Sequence, residues 1–179
     1  MLDISNCCLL VVDVQGKLAQ LMTERESLFR NIRILIQAAQ GLEMPILWCQ
    51  QVPAALGPTV PEIAELLTEI EPIDKASFSC CDQDAFVERL DRLGRRQVLL
   101  CGIETHICVY LTAMDLLSRG LEPTVVADAV SSRTEQNRRI ALSRLAAEGA
   151  KISSTEMALF ELLRTARHPQ FKAIARLVK

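Results

Sequence analysis

The chain has 179 residues, half of them hydrophobic, 23% charged and 4% aromatic, a balance that excludes disordered, fibrous and collagen-like chains. Twenty Lys and Arg against 22 Asp and Glu leave a formal charge of -2. With no basic stripe interleaved with aromatics, this argues against a nucleic-acid partner.

Cys8 to Asp13 reads as a first strand, and its run Leu9-Leu10-Val11-Val12 suits a strand covered on both faces. Leu28, Ile32, Leu35, Ile36 and Ala39 then fall on one helical face, stopped by Gly41 and Pro45. Ile46 to Cys49 is a second strand. Three prolines and one glycine make Val52 to Pro61 an ordered loop that leads into a short helix at Glu62 to Thr68. Ile73 to Ala76 is a third strand, after which Asp82 is expected to cap a helix holding Phe86, Leu90 and Leu93 and closed by Gly94.

Val98 to Gly102 and Thr124 to Ala127 are the next strands, with an apolar helical stretch at Val109 to Leu117 between them. Ser132 with Glu135 predicts a capping box for a helix ending near Gly149. Lys151 to Ser153 is a last strand, and Ser153 with Glu156 repeats the box. A final helix, Pro169 to Val178, carries an apolar stripe of Phe171, Ile174, Ala175 and Val178, suited to an interface or to packing within the chain. Strands alternating with helices throughout predict a parallel sheet flanked by helices, in one domain over 1–179. Such a chain buries roughly 70% of the surface its unfolded form exposes.

No segment approaches the roughly 20 apolar residues of a membrane span, and the start Met1-Leu2-Asp3 lacks a signal peptide's cationic lead. Seven cysteines, several inside apolar runs (Cys7, Cys8, Cys49, Cys101), read as free thiols packed as small hydrophobes. A cytoplasmic location is expected.

Ligands of open α/β sheets collect at the carboxyl ends of strands. Three polar residues stand at such ends: Asp13, Lys75 and, a few residues past the fourth strand, Cys108. A free thiol with a pKa near ~8.5 is mostly protonated at neutral pH, and Lys75 together with a helix start is expected to favour its thiolate. A carboxylate beside them can take the thiol proton and return it to a leaving group. Simple packing is the alternative role for Cys108. Gln15, Gln50 and Gln51 at strand ends and Phe78 as an apolar wall are candidate pocket residues, with packing or surface roles as the alternative.

His106 lies two residues from Cys108, a spacing that turns the two side chains to different helix faces. Cys80-Cys81 lacks Cys-x-x-Cys spacing and reads as core or loop thiols. Trp48 reads as core, and Arg133 as a residue that fixes the loop before the next helix.

Leu10-Val11-Val12-Asp13-Val14-Gln15, Gly57-Pro58-Thr59-Val60-Pro61, Lys75-Ala76-Ser77-Phe78-Ser79, Gly102-Ile103-Glu104-Thr105-His106-Ile107-Cys108-Val109 and Asp128-Ala129-Val130-Ser131-Ser132-Arg133 occur in that order, followed by the tail from Gly149-Ala150 to Glu156. Together they cover nearly the whole chain, and the ordered set resembles the isochorismatase-like cysteine hydrolases, in particular their metal-free branch. The resemblance implies a three-layer, Rossmann-like fold with a six-stranded parallel sheet and an Asp13, Lys75, Cys108 triad. It also implies a cis peptide between Ile103 and Glu104, placing Ile103 at the substrate, and an oxyanion hole from the Glu104 and Cys108 N–H groups. The implied reaction is hydrolysis of a small amide or related acyl compound through a thioester, by a homo-oligomer. Nicotinamidases of the superfamily hold a metal through Asp and His after the second strand. Here that segment is Trp48-Cys49-Gln50-Gln51 and the two histidines are His106 and His168, so no metal or other cofactor is expected. A metabolite-binding or oligomeric scaffold without turnover and a thiol redox protein are the competing readings.

Overall fold

A computed structural model describes residues 1–179. Its strands are β1 (Cys7–Val12), β2 (Ile46–Gln51), β3 (Ile73–Lys75), β4 (Gln97–Ile103), β5 (Glu122–Ser131) and β6 (Lys151–Ser153). All pair in parallel, in the order β3-β2-β1-β4-β5-β6. The helices are α1 (Gly16–Gln20), α2 (Arg25–Gly41), α3 (Pro53–Leu56), α4 (Pro61–Ala64), α5 (Asp84–Leu93), α6 (Tyr110–Ser118), α7 (Glu135–Ala147), α8 (Thr155–Leu163) and α9 (Phe171–Leu177). This is the α/β architecture that the alternation predicts.

Side chains alternate between the two faces of a strand, so a strand covered on both sides is apolar at every position. In β1, Cys7, Leu9 and Val11 enter the core beneath α2, α8 and α9, whereas Cys8, Leu10 and Val12 enter the core beneath α5, α6 and α7. Each fully buried leucine here contributes about 1.5–3 kcal/mol. The same parity puts Ile46 and Trp48 of β2 on the α2 side and Leu47 and Cys49 on the α5 side. In β4, Leu99, Cys101 and Ile103 face α2, and Val98 and Leu100 face α5.

The predicted helix on Leu28 to Ala39 is α2, with those residues on its buried face. Of the two settings open to the C-terminal stripe, packing within the chain is the one observed: Ile174 is buried in the α2-side core, with Phe171 and Val178 against it. Three predicted caps shift. Asp82 lies in a 3-10 turn capped by the Ser79 hydroxyl, so α5 starts after Gln83 and ends, as expected, at Gly94. The cap of α7 is Thr134, not Ser132, and that of α8 is Ser154, not Ser153. The loop after β2 contains the single turn α3, and the expected helix at Glu62 to Thr68 is the shorter α4.

Gly102 has φ +119, and a Cβ there would stand 2.1 Å from the Val12 carbonyl oxygen. Only glycine lets the end of β4 lie this close to the end of β1. The β4–β5 register shifts at the same place, between Leu100 and Gly102. No helix is long and apolar enough to cross a membrane.

Candidate active site

The strand order reverses between β1 and β4, which opens a crevice at their carboxyl ends. Asp13 is the first residue past β1. Its φ of 52° turns the chain out of the strand, and its N–H donates to the Cys49 carbonyl at 3.1 Å. Aspartate adopts such a left-handed conformation more readily than most residues.

Lys75 ends β3, two strands away, with β2 between. Its long stem brings Nζ to 2.7 Å from Asp13 Oδ2, 2.6 Å from Gln51 Oε1 and 3.2 Å from each of the Ser77 and Phe78 carbonyls. An ammonium has three donors, so four acceptors leave none for a ligand. The side chains of Lys75 and Asp13 are 0% and 3% exposed. Breaking such a pair would strand a buried charge.

Cys108 is 7% exposed and belongs to the α5-side core. It lies in a π-helical turn, Thr105–Val109, that runs straight into α6. The Glu104 carbonyl accepts from the N–H groups of Ile107 (3.0 Å) and Val109 (3.2 Å), passing over that of Cys108 between them. The peptide bond from Ile103 to Glu104 is cis, and the Glu104 N–H donates to no protein acceptor.

The thiol and the Asp13 carboxylate stand close enough to perturb one another. Burial raises the Asp13 carboxyl above the usual aspartate range, against the pull of Lys75. Burial and then the Asp13 charge raise the Cys108 thiol, and Lys75 offsets only part of this. Burial works against the Lys75 ammonium too, but Asp13 and the thiols of Cys80 and Cys108 outweigh it and raise Lys75. Burial and the Asp13 charge therefore both disfavour a thiolate at Cys108, against the expectation that Lys75 and a helix start favour one. Asp13 Oδ1 has no protein hydrogen-bond partner, while Oδ2 is taken by Lys75.

The isochorismatase domain pattern matches residues 7–157. This chain belongs to the isochorismatase family. The zebrafish isochorismatase domain-containing protein 2 is 38% identical over 99% of this family member and 89% of its own length. Among solved structures, a Caenorhabditis elegans protein described as MAR1 ribonuclease is 37% identical with TM-score 0.93, covering 99% of this chain and 91% of that one. The Escherichia coli YcaC gene product, described as an octameric hydrolase of unknown specificity, is 26% identical with TM-score 0.93, covering 98% and 88%. YcaC from Pseudomonas aeruginosa, with hexane-2,5-diol and covalent acrylamide, is 25% identical with TM-score 0.88, covering 99% and 95%.

Within this isochorismatase-family site, three expected substrate contacts are placed elsewhere. Gln15 is fully buried: its Nε2 donates to the carbonyls of Gln51 (3.1 Å) and Gly57 (2.8 Å), and its Oε1 accepts from the Gln51 N–H at 2.6 Å. Gln50 shares the parity of Trp48 and braces the loop after β2, accepting from the Thr59 N–H (2.9 Å) and hydroxyl (3.1 Å). Its Nε2 donates to Asp74 at 3.3 Å. Ile103 is fully buried in the α2-side core, so its side chain faces away from Cys108. Phe78 is 58% exposed, and its carbonyl is one of the Lys75 acceptors.

His106 turns from Cys108 to the Ser132 hydroxyl (2.9 Å) and Asn137 (3.4 Å). Arg133 donates through its N–H and Nε, both at 3.1 Å, to one oxygen of the buried Glu104 carboxylate. What residue-type reasoning missed is the part played by main-chain carbonyls at Ser77 and Phe78, which leave no mark in side-chain identity. The parity of β2 was a usable signal. It turns Gln51 toward Lys75 and Gln50 the opposite way.

Proposed function

We propose that this family member is a cysteine hydrolase of a small amide or related acyl compound. The observation that carries this reading is an Asp13 carboxylate with one oxygen fixed by Lys75 and the other without a protein partner, in a group near enough to a scarcely exposed thiol for each to perturb the other. The covalent acrylamide in the P. aeruginosa relative supports a nucleophile in this fold.

Asp13 Oδ1 takes the Cys108 proton as sulfur attacks the acyl carbon, so that charge passes to the carbonyl oxygen without accumulating on sulfur. The N–H groups of Glu104 and Cys108 are the donors assigned to that oxygen, and such groups stabilise charge that exists only in the transition state. Collapse breaks the C–N bond as Asp13 returns its proton to the leaving amine, giving a thioester. Water, deprotonated by Asp13, attacks the thioester, and the second collapse releases the acid and restores the thiol. Lys75 holds Asp13 in place and does not touch substrate. Phe78, exposed beside the Lys75 anchor, is the proposed apolar wall, and no metal or cofactor takes part.

A homo-oligomer is proposed from the octameric neighbour. Seven free cysteines fit the reducing cytoplasm. A nuclease reading, raised by the description of the C. elegans neighbour, has less support in a chain of net charge -2.

The test is a panel of small amides, esters and single-stranded RNA offered to wild type and to Cys108→Ala, with the acyl-enzyme sought by intact mass. Turnover of an amide or ester, an adduct on the Cys108 peptide and an inactive variant support the reading. Turnover that survives in Cys108→Ala, or cleavage of RNA alone, overturns it.

A further inference from the structure

Lys75 and Asp13 come from strands that are not neighbours, and the strand between them ends in Gln51. Gln51 Oε1 accepts from Lys75 Nζ at 2.6 Å while its Nε2 donates to the Ala76 carbonyl at 2.7 Å, so the amide is used at both ends and its orientation is set by chemistry. Its main chain is clamped as well, because Gln15, two residues past Asp13, accepts from the Gln51 N–H and donates to the Gln51 carbonyl. The second bond from Gln15 Nε2, to the Gly57 carbonyl, ties this arrangement to the loop after β2.

We propose that Gln51 is a positioning residue whose neutral amide holds the Lys75 ammonium against one oxygen of Asp13, frees the other for Cys108, and so sets the pH at which Asp13 becomes a base. This rests on the reading of Asp13 as the base for Cys108. A glutamate at this position would be almost the same size, but its charge would compete with Asp13 for one ammonium and repel the Asp13 carboxylate. The amide gives Lys75 an acceptor without that competition.

The other titratable groups around Asp13 are Lys75 on β3, Cys49 on β2 and Cys108 in the π-helical turn, with Cys80 acting on Lys75 and Cys108 from the turn after β3. A change at Gln51 replaces none of these groups but acts directly on Lys75, so a shift in Asp13 reports the new charge together with its competition for the ammonium. The sign follows directly. A second carboxylate disfavours ionised Asp13 and raises its pKa, so the acid limb of any process that needs the ionised form moves to higher pH.

The experiment follows the Asp13 carboxyl carbon by 13C NMR through a pH titration in wild type, Gln51→Glu and Gln51→Asn, assigning the signal by its loss in Asp13→Asn. Labelling of Cys108 by acrylamide is read in parallel. In Gln51→Glu the Asp13 midpoint is expected to move up by about one pH unit, with the acid limb of labelling following it. Gln51→Asn is neutral and one methylene too short to reach Lys75, so its midpoint should not rise while labelling falls about tenfold. An unmoved midpoint in Gln51→Glu, or an equal rise in both variants, overturns the proposal. If Gln51→Glu does not fold, the Asn variant decides: wild-type labelling with a wild-type midpoint overturns it. A shifted midpoint in a protein whose Cys108 is inert would retain the role of Gln51 and remove the hydrolase reading.

Discussion

The two walls of the crevice are built by different means. On the β1–β3 side, side chains do the work: Asp13, Lys75, Gln51 and Gln15 form a buried network in which Lys75, Gln51 and Gln15 bond through every polar side-chain atom and only Asp13 Oδ1 stays unpartnered. On the β4 side the backbone does it, through Gly102 against β1 and the π-helical turn that carries Cys108. The first wall depends on charge and hydrogen bonds, so substitutions there should alter pH behaviour. The second depends on conformation, so they should alter geometry and stability.

The largest effect expected is at the thiol where the walls meet. Cys108→Ala should lower turnover by at least about 10⁴-fold with the fold retained, checked by steady-state rates beside a melting curve. Next is Lys75→Ala, which leaves Asp13 buried without its cation. It should cost about 3–5 kcal/mol in urea unfolding, and the surviving folded protein should show Asp13 titrating higher still. On the backbone side, Gly102→Ala should cost about 3 kcal/mol or more through its positive φ and the clash with Val12, without moving the acid limb of Cys108 labelling. A shifted limb in that variant would blur the distinction between the walls. Arg133→Ala should cost only about 1 kcal/mol, because the guanidinium is largely in solvent and the Arg133 N–H still serves Glu104. The smallest effect is expected for His106→Ala: Cys108 labelling within about twofold of wild type, since the imidazole bonds to Ser132 and Asn137.

The same contrast explains what was legible in the sequence. Apolar runs ended by a polar residue placed Asp13 and Lys75 at the crevice, because a charge directly after a buried strand has few other reasons to be there. The six strands were legible by the same contrast, although the ends of β1, β2, β3, β4 and β5 moved by one to several residues. Gln15 and Gln50 were placed on the substrate although they brace the loop, because residue type does not say whether an amide faces a ligand or a carbonyl. Ile103 was misplaced for a related reason: it ends the strand that leads to Cys108, but strand parity sends its side chain to the other core. The caps of α7 and α8 slipped by one or two residues among neighbouring Ser and Thr, any of which can accept from the first turn. The balance at Cys108 was not legible because a nearby lysine and a helix start are visible in sequence, whereas the burial that pushes the thiol up is not.

The central claim is that Asp13, not a standing thiolate, makes Cys108 reactive. The most direct measurement is the rate of acrylamide labelling at Cys108 from pH 4 to 9 in wild type and in Asp13→Asn, read by peptide mass. The rate should rise through a limb above the ordinary aspartate pKa of about 3.9, level off through neutral pH, and fall at least about a hundredfold in the variant. Equal rates in the two proteins, climbing together toward the pKa of a free thiol, would contradict the account.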